Sequence, residues 1–358
     1  MSNIQWTDET WNPVVGCTRA SAGCDHCYAV TMSHRLEAMG AESYAGLTVL
    51  NDKGDRHFNG EVRCVEEAID KPRHWRKPRR VFVNSMSDLF HPKVPFEFID
   101  QVFAVMALCP QHAFQVLTKR PERMAEYLSR PYMPGYICDA AILRHGKYLH
   151  SKEYKEHFSG TYAKLTPAVW PLPNVWLGTS VENQAAADER IPHLLRCPAA
   201  VRFLSCEPLL GPIDVFAPIR DVKLRDAEPN PGGDGNYLHW VIVGGESGSK
   251  ARVCDIGWIR SVVSQCKTAA VPCFVKQLGS RPVLSRGPNR RCTWGVGPVN
   301  ADGEPMCWRC GCQDFGAVDG GSPMCNGCNA PHDRLKNKKG GDPAEWPEDL
   351  RVREMPDG

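Results

Sequence analysis

One unit repeats through this 358-residue chain: a short β-branched or aromatic run, polar or glycine residues at its end, then a stretch of helical period. The runs occupy 81–84, 114–117, 175–178, 201–204, 240–243 and 273–275, and an earlier one is expected near 13–16. Runs with no polar alternation belong to strands buried on both faces, in a parallel sheet covered by helices. The helical period is explicit at Ile99, Val102, Phe103 and Met106, and again at Ile259, Val262, Val263 and Cys266; each set lies at i, i+3, i+4, i+7.

The residues after each run are polar: Ser85, Ser87 and Asp88; Thr118, Lys119 and Arg120; Thr179, Ser180 and Glu182; Ser205, Cys206 and Glu207; Gly244, Gly245 and Glu246; Lys276 and Gln277. In a barrel all strand ends meet at one mouth, whereas a doubly wound sheet uses mainly those near its switch point. A partial or complete (β/α) barrel is therefore expected. Helix capping by Ser and Asp is the plainer alternative, but it does not cover Glu207 before Pro208, nor Lys276. The barrel is assigned to 1–285, with a lid-like insertion at 129–173 marked by Pro131, Pro134, Pro167, Pro171 and Pro173. A Cys-rich module at 286–334 follows. The tail, 335–358, is expected to pack on the barrel through Trp346, Pro347 and Glu348.

Seventeen cysteines could mean a disulfide scaffold, but the length, the odd count and an N-terminus without a basic-then-apolar leader oppose it. A cytoplasmic protein with reduced thiols is expected, and no window approaches the roughly 18 apolar residues of a membrane span. Cys17-x6-Cys24-x2-Cys27 puts three thiolates on one loop. That set suits an iron–sulfur cluster with one iron left open, or zinc if His26 or His34 supplies a fourth ligand. Cys307-x2-Cys310 with Cys325-x2-Cys328 predicts a four-thiolate zinc site. A second iron–sulfur cluster is the rival there, since Cys292 and Cys312 stand nearby in sequence. Most other cysteines, including Cys206, are read as buried packing residues.

The formal net charge is only +2, so any attraction to nucleic acid must be local. Residues 71–80 hold six Lys or Arg around Trp75, and 281–291 hold Arg281, Arg286, Arg290 and Arg291. Such stretches can bind phosphates and stack a base, or can be solvated connections.

A three-cysteine loop after the first strand of a helix-wrapped barrel is similar to that of the radical S-adenosylmethionine (SAM) superfamily. The succession Cys27-Tyr28-Ala29, Ser87-Asp88, Thr118-Lys119 resembles its spore photoproduct lyase branch. Over nearly its full length the chain also resembles a phage and prophage three-cysteine-motif family of unassigned reaction. That resemblance lies in Trp6-Thr7-Asp8-Glu9-Thr10-Trp11-Asn12-Pro13, Val181-Glu182-Asn183, Glu207-Pro208-Leu209-Leu210-Gly211-Pro212, Gly244-Gly245-Glu246-Ser247-Gly248, Lys276-Gln277 and Trp346-Pro347-Glu348-Asp349-Leu350-Arg351. Two features depart from the superfamily pattern. The first cysteine interval is x6 where x3 is usual, and the Gly-Gly-Glu run follows a late strand and not the second one.

The resemblance implies a [4Fe-4S] cluster on Cys17, Cys24 and Cys27 that cleaves SAM reductively, giving a 5′-deoxyadenosyl radical that takes hydrogen from a substrate. It also implies a flavodoxin- or ferredoxin-type reductant, phage or prophage origin with action in the host cytoplasm, and a nucleic acid or nucleotide as substrate. On that reading Ser85, Ser87 or Asp88 meets the SAM amine, and Thr118 and Ser180 line the cofactor. Lys119, Arg120 and Lys276 take its carboxylate or a substrate phosphate. Glu182, Glu207 and Glu246 take hydroxyls or base edges, Gly244 and Gly245 allow close approach, and Cys206 returns a hydrogen atom. The alternatives are a structural ion-pair network at the strand ends, an inert Cys206, and, for the whole chain, a non-catalytic metal-stabilised nucleic-acid-binding protein.

Overall fold

The apolar runs are strands in the computed structural model, which describes residues 4–145, 170–221, 238–283, 315–316, 324–325, 337, 339 and 341–356. The main strands are β1 (Glu9–Trp11), β2 (Arg80–Val83), β3 (Ala113–Thr118), β4 (Val175–Ser180), β5 (Val201–Cys206), β6 (Trp240–Gly244) and β7 (Cys273–Gln277). They follow one another in a seven-stranded sheet in the order of the sequence. Parallel registers set Glu9 opposite Val81, Val81 opposite Phe114, Val116 opposite Leu177, and Val241 opposite Cys273. A doubly wound sheet reverses its order at a switch point; this one does not, and its order is that of a (β/α) barrel. Among the described residues β1 and β7 are the two ends of the order, so the partial form of the expectation is the one observed.

Two compact units divide the chain. The first is Met1–Ser180, Glu189–Phe203 and Val222–Leu238. Here β1 starts at Glu9, four residues before the expected 13–16. Pro13 has no amide hydrogen for a sheet ladder, and Val14–Val15 turn aside to pair antiparallel with Arg63–Cys64. Helices α1 (Tyr28–Ala38), α2 (Phe96–Leu108), α3 (Pro121–Leu128) and α4 (Met133–His145) belong to this unit. The α2 residues Ile99, Val102, Phe103 and Met106 are all buried, as their spacing requires. Helix α4 begins the segment expected to be a lid. Its Arg144 reaches Glu66 at 2.9 Å, Asp70 at 3.2 Å and Gln101 at 2.5 Å. Residues 146–169 of that segment lie outside the described residues.

The second unit is Val181–Asp188, Leu204–Asp221 and His239–Gly358. Helix α5 (Ile256–Thr268) starts at Asp255, whose carboxylate accepts the Gly257 amide at 2.8 Å, a side-chain N-cap. Ile259, Val262 and Cys266 are buried and Val263 is half-buried. The C-terminal segment runs along β7: Val275 donates its amide to the Val352 carbonyl, and Glu354 donates to that of Cys273, both at 2.9 Å. The Trp240 indole donates to the Glu354 carbonyl at 2.9 Å, and Trp346 and Leu350 are fully buried. Of the expected zinc module, the described residues are Phe315–Gly316 and Met324–Cys325, an antiparallel pair. Cys307, Cys310 and Cys328 lie outside the described residues, as do Arg286, Arg290 and Arg291. Among the described residues no helix is long and apolar enough to cross a membrane.

Candidate functional site

In the first unit the chain leaves Val15 through Gly16 and enters the cysteine loop. Gly16 holds φ +81°, and a Cβ there would stand 2.2 Å from the Glu61 carbonyl oxygen, so the turn into Cys17 requires glycine. Cys24 ends a short 3-10 turn, Ala22–Cys24, and Cys27 sits at the N-cap of α1. The three thiols are half-buried and near enough to act on one another electrostatically. Burial pushes the Cys17 thiol up to about 12, with the Asp88 carboxylate adding to the effect and the Arg120 guanidinium opposing it. Burial raises the Cys27 thiol as well, against the backbone N–H groups of Ala29 and Val30 and the Lys119 ammonium. Outward-pointing N–H groups in a first helical turn favour an anionic sulfur. His26 and His34 are exposed, and His34 Nδ1 is 3.7 Å from Glu37. Among the described residues no three His, Cys, Asp or Glu side chains are gathered as the ligands of one ion. In a cubane, by contrast, each thiolate takes a different iron.

Behind the loop is a buried polar network centred on Asp88. Its Oδ1 accepts the Thr118 hydroxyl at 2.7 Å and the Phe90 amide at 3.0 Å. Its Oδ2 accepts the Lys119 amide at 3.1 Å and Arg120 Nη1 at 2.9 Å. Arg120 continues forward: Nη1 lies 3.9 Å from Cys17 Sγ, and Nη2 donates to the Thr18 carbonyl at 3.0 Å and hydroxyl at 2.9 Å. His91 meets the same Thr18 hydroxyl through Nε2 at 2.8 Å, while its Nδ1 accepts the Lys93 amide. That acceptor role puts the neutral ring's proton on Nε2, donating to Thr18. Burial, then the Arg120 charge, lowers His91 to about 4, so the ring is neutral near pH 7.

The structure gives several expected ligand-binding groups internal partners. The Ser85 hydroxyl meets Asn12 Oδ1 at 3.1 Å, an oxygen that also accepts the Met86 amide, and the Ser87 hydroxyl donates to the Val14 carbonyl at 2.7 Å. Thr118 and Asp88 serve each other. Ser180 is buried, and its carbonyl accepts Arg190. Asn12, Thr18, Tyr28 and His91 had no expected role. Tyr28 donates its hydroxyl to the Ser85 carbonyl at 2.6 Å, tying α1 to the turn after β2. For Asn12 and Tyr28 the signal was their place inside the quoted motifs; Thr18 and His91 carried none.

In the second unit Lys276 Nζ lies 3.1 Å from Glu207 Oε2, while Glu207 Oε1 is buried with no hydrogen-bond partner among the described residues. A carboxylate oxygen in that state can accept a hydroxyl or N–H donor. Lys276 lies within β7 and not beyond it. Glu246 is buried and held by Arg252, whose Nε and Nη2 donate at 2.9 and 2.6 Å and whose amide donates at 2.8 Å. Glu182 is buried, and its carbonyl accepts the Leu210 amide. The glycine pair allows close approach of protein atoms: a Cβ on Gly245 would stand 2.3 Å from the Leu278 carbonyl oxygen, and one on Gly244 2.8 Å from the Glu207 side-chain Oε1 and 2.9 Å from the Gln277 carbonyl oxygen. Cys206 is fully buried at the last position of β5, and burial, with Cys273 and Glu207 nearby, raises its thiol. That is the setting of a packing cysteine.

The basic stretch 71–80 is partly used inside the first unit. Arg73 pairs with Asp70, Arg79 with Glu9 and Arg80 with Asp8 at 3.2, 2.8 and 3.2 Å. Trp75 is covered by the Arg79 guanidinium and by an edge contact with His112. Lys71, Arg76 and Lys77 are exposed.

A family model described as a protein of unknown function matches residues 1–302. No curated protein and no solved structure matches the chain.

Proposed function

The chain belongs to that family, DUF5131, and from its own residues we propose that it is a radical SAM enzyme whose [4Fe-4S] cluster is held by Cys17, Cys24 and Cys27. The observation that carries the reading is the thiol loop itself: three half-buried cysteines on one short stretch, one at a helix N-cap and one beside a largely buried guanidinium. The donor set fits the group, because thiolates are its ordinary ligands and both N–H groups and a guanidinium stabilise their charge. Once bound, the cluster would pass one electron from an external reductant to the SAM sulfonium, releasing methionine and a 5′-deoxyadenosyl radical that takes a hydrogen atom from substrate.

The chain's own residues would divide the remaining tasks. Gly16 and the α1 N-terminus fix the loop ends, and Tyr28 ties the helix to the Ser85 turn. Lys119, which acts electrostatically on Cys27 and forms no ion pair among the described residues, offers a cation to the SAM carboxylate. In the second unit Glu207 and Lys276 offer an acceptor and a cation to polar groups of a ligand. For a nucleic-acid or nucleotide substrate, Lys71, Arg76 and Lys77 are the solvent-facing cations of the 71–80 stretch. The C-terminal cysteine pairs would hold structural zinc. The test is to purify the protein without oxygen, load iron and sulfide, then add SAM and dithionite. 5′-Deoxyadenosine and methionine are expected; their absence from protein with a loaded cluster would refute the proposed activity.

A further inference from the structure

We infer that Arg120 is a positioning residue for the Cys17 ligand, and that the Arg120–Asp88 pair sets the charge felt by that sulfur. The inference rests on the iron–sulfur reading of the loop. Its basis is geometric. One guanidinium reaches Cys17 Sγ at 3.9 Å, the carbonyl of the next residue at 3.0 Å and that residue's hydroxyl at 2.9 Å, so it touches both the sulfur and the backbone that carries it. Asp88 holds the guanidinium from behind at 2.9 Å, with both side chains largely buried. Asp88 is in turn fixed by Thr118, the Phe90 amide and the Lys119 amide. Six residues separate Cys17 from Cys24, and this network gives the first cysteine an anchor of its own on the segments that follow β2 and β3.

The pair has two charges of opposite sign near one sulfur, which gives the inference a readout that a purely structural role lacks. Reduction adds one electron, and thus one negative charge, to the cluster. A nearby cation favours that state and a nearby carboxylate opposes it, most strongly where water is excluded. Replacing Arg120 leaves the Asp88 carboxylate uncompensated and makes reduction harder. Replacing Asp88 with its amide leaves the guanidinium uncompensated and makes reduction easier. If the two side chains merely held the loop, both variants would lose cluster and neither would move the potential in a direction set by charge.

The experiment is a dithionite titration of the anaerobically loaded full-length protein, following the one-electron couple by electron paramagnetic resonance, with iron and sulfide counted beforehand. Expected are a more negative midpoint in Arg120→Met, a more positive one in Asp88→Asn, and a near-native one in Arg120→Lys. The lysine keeps the charge but not the two-pronged contact, so its cluster is expected to be lost faster to a chelator. If Arg120→Met retains no cluster, Asp88→Asn and Arg120→Lys decide the matter alone. Midpoints that do not move, or that move in the same direction for Arg120→Met and Asp88→Asn, overturn the inference while the iron–sulfur reading stands. Native protein that takes up no iron and sulfide overturns both.

Discussion

The Thr118 hydroxyl donates to Asp88 Oδ1 across 2.7 Å while its oxygen accepts the Arg120 amide at 2.8 Å, so a single buried hydroxyl joins the end of β3 to the loop that follows β2. Thr118→Val removes the donor and the acceptor together and keeps the shape. We predict a loss of about 1–3 kcal/mol in denaturant unfolding, the usual cost of leaving buried partners unsatisfied. Native stability in this variant would show that the hydroxyl is not committed as described.

His91 gives a pH signature. Its folded pKa, about 4, lies below the ordinary 6.5, so between those values the unfolded chain binds more protons than the folded one. Its contribution is present above pH 6.5 and is lost as pH falls through 4, at most about 3 kcal/mol. The slope of unfolding free energy between pH 6.5 and 4 should therefore flatten in His91→Gln. An unchanged slope would mean that the ring charges freely in the folded protein.

The Leu278 carbonyl oxygen stands where a side chain on Gly245 would begin, a close approach that requires glycine whether or not a ligand binds nearby. Gly245→Ala is predicted to cost more than about 1 kcal/mol through backbone displacement, in protein with no ligand present. A thermal melt equal to the native one would contradict that requirement.

These cases show where sequence reading succeeds and where it stops. The strand positions and the α2 face were legible because apolar period is a one-dimensional property of the chain. The first strand was displaced because Pro13, which cannot join a ladder, opens the run where it was expected. The polar residues after the strands were legible as a set, but their partners were not. Ser87 meets Val14 from 73 positions away and Asp88 meets Arg120 from 32, and no spacing rule reports such pairings.

The C-terminal segment is a structural part of the second unit. Trp346 has no exposed surface, and Arg353 stacks on both Phe274 and Trp346 at 5.2 Å. Trp346→Ala is predicted to destabilise by about 3–5 kcal/mol, the range for emptying a buried aromatic site. Calorimetry of the full chain checks this, and a loss below about 1 kcal/mol would contradict it.

The most direct test of the central proposal is the iron and sulfide content of anaerobically reconstituted native protein beside Cys24→Ala. A cubane on the N-terminal loop predicts about four iron and four sulfide per chain that are lost in the variant, whatever the C-terminal cysteines bind. Equal iron in the two proteins, or zinc in place of iron on that loop, would contradict it.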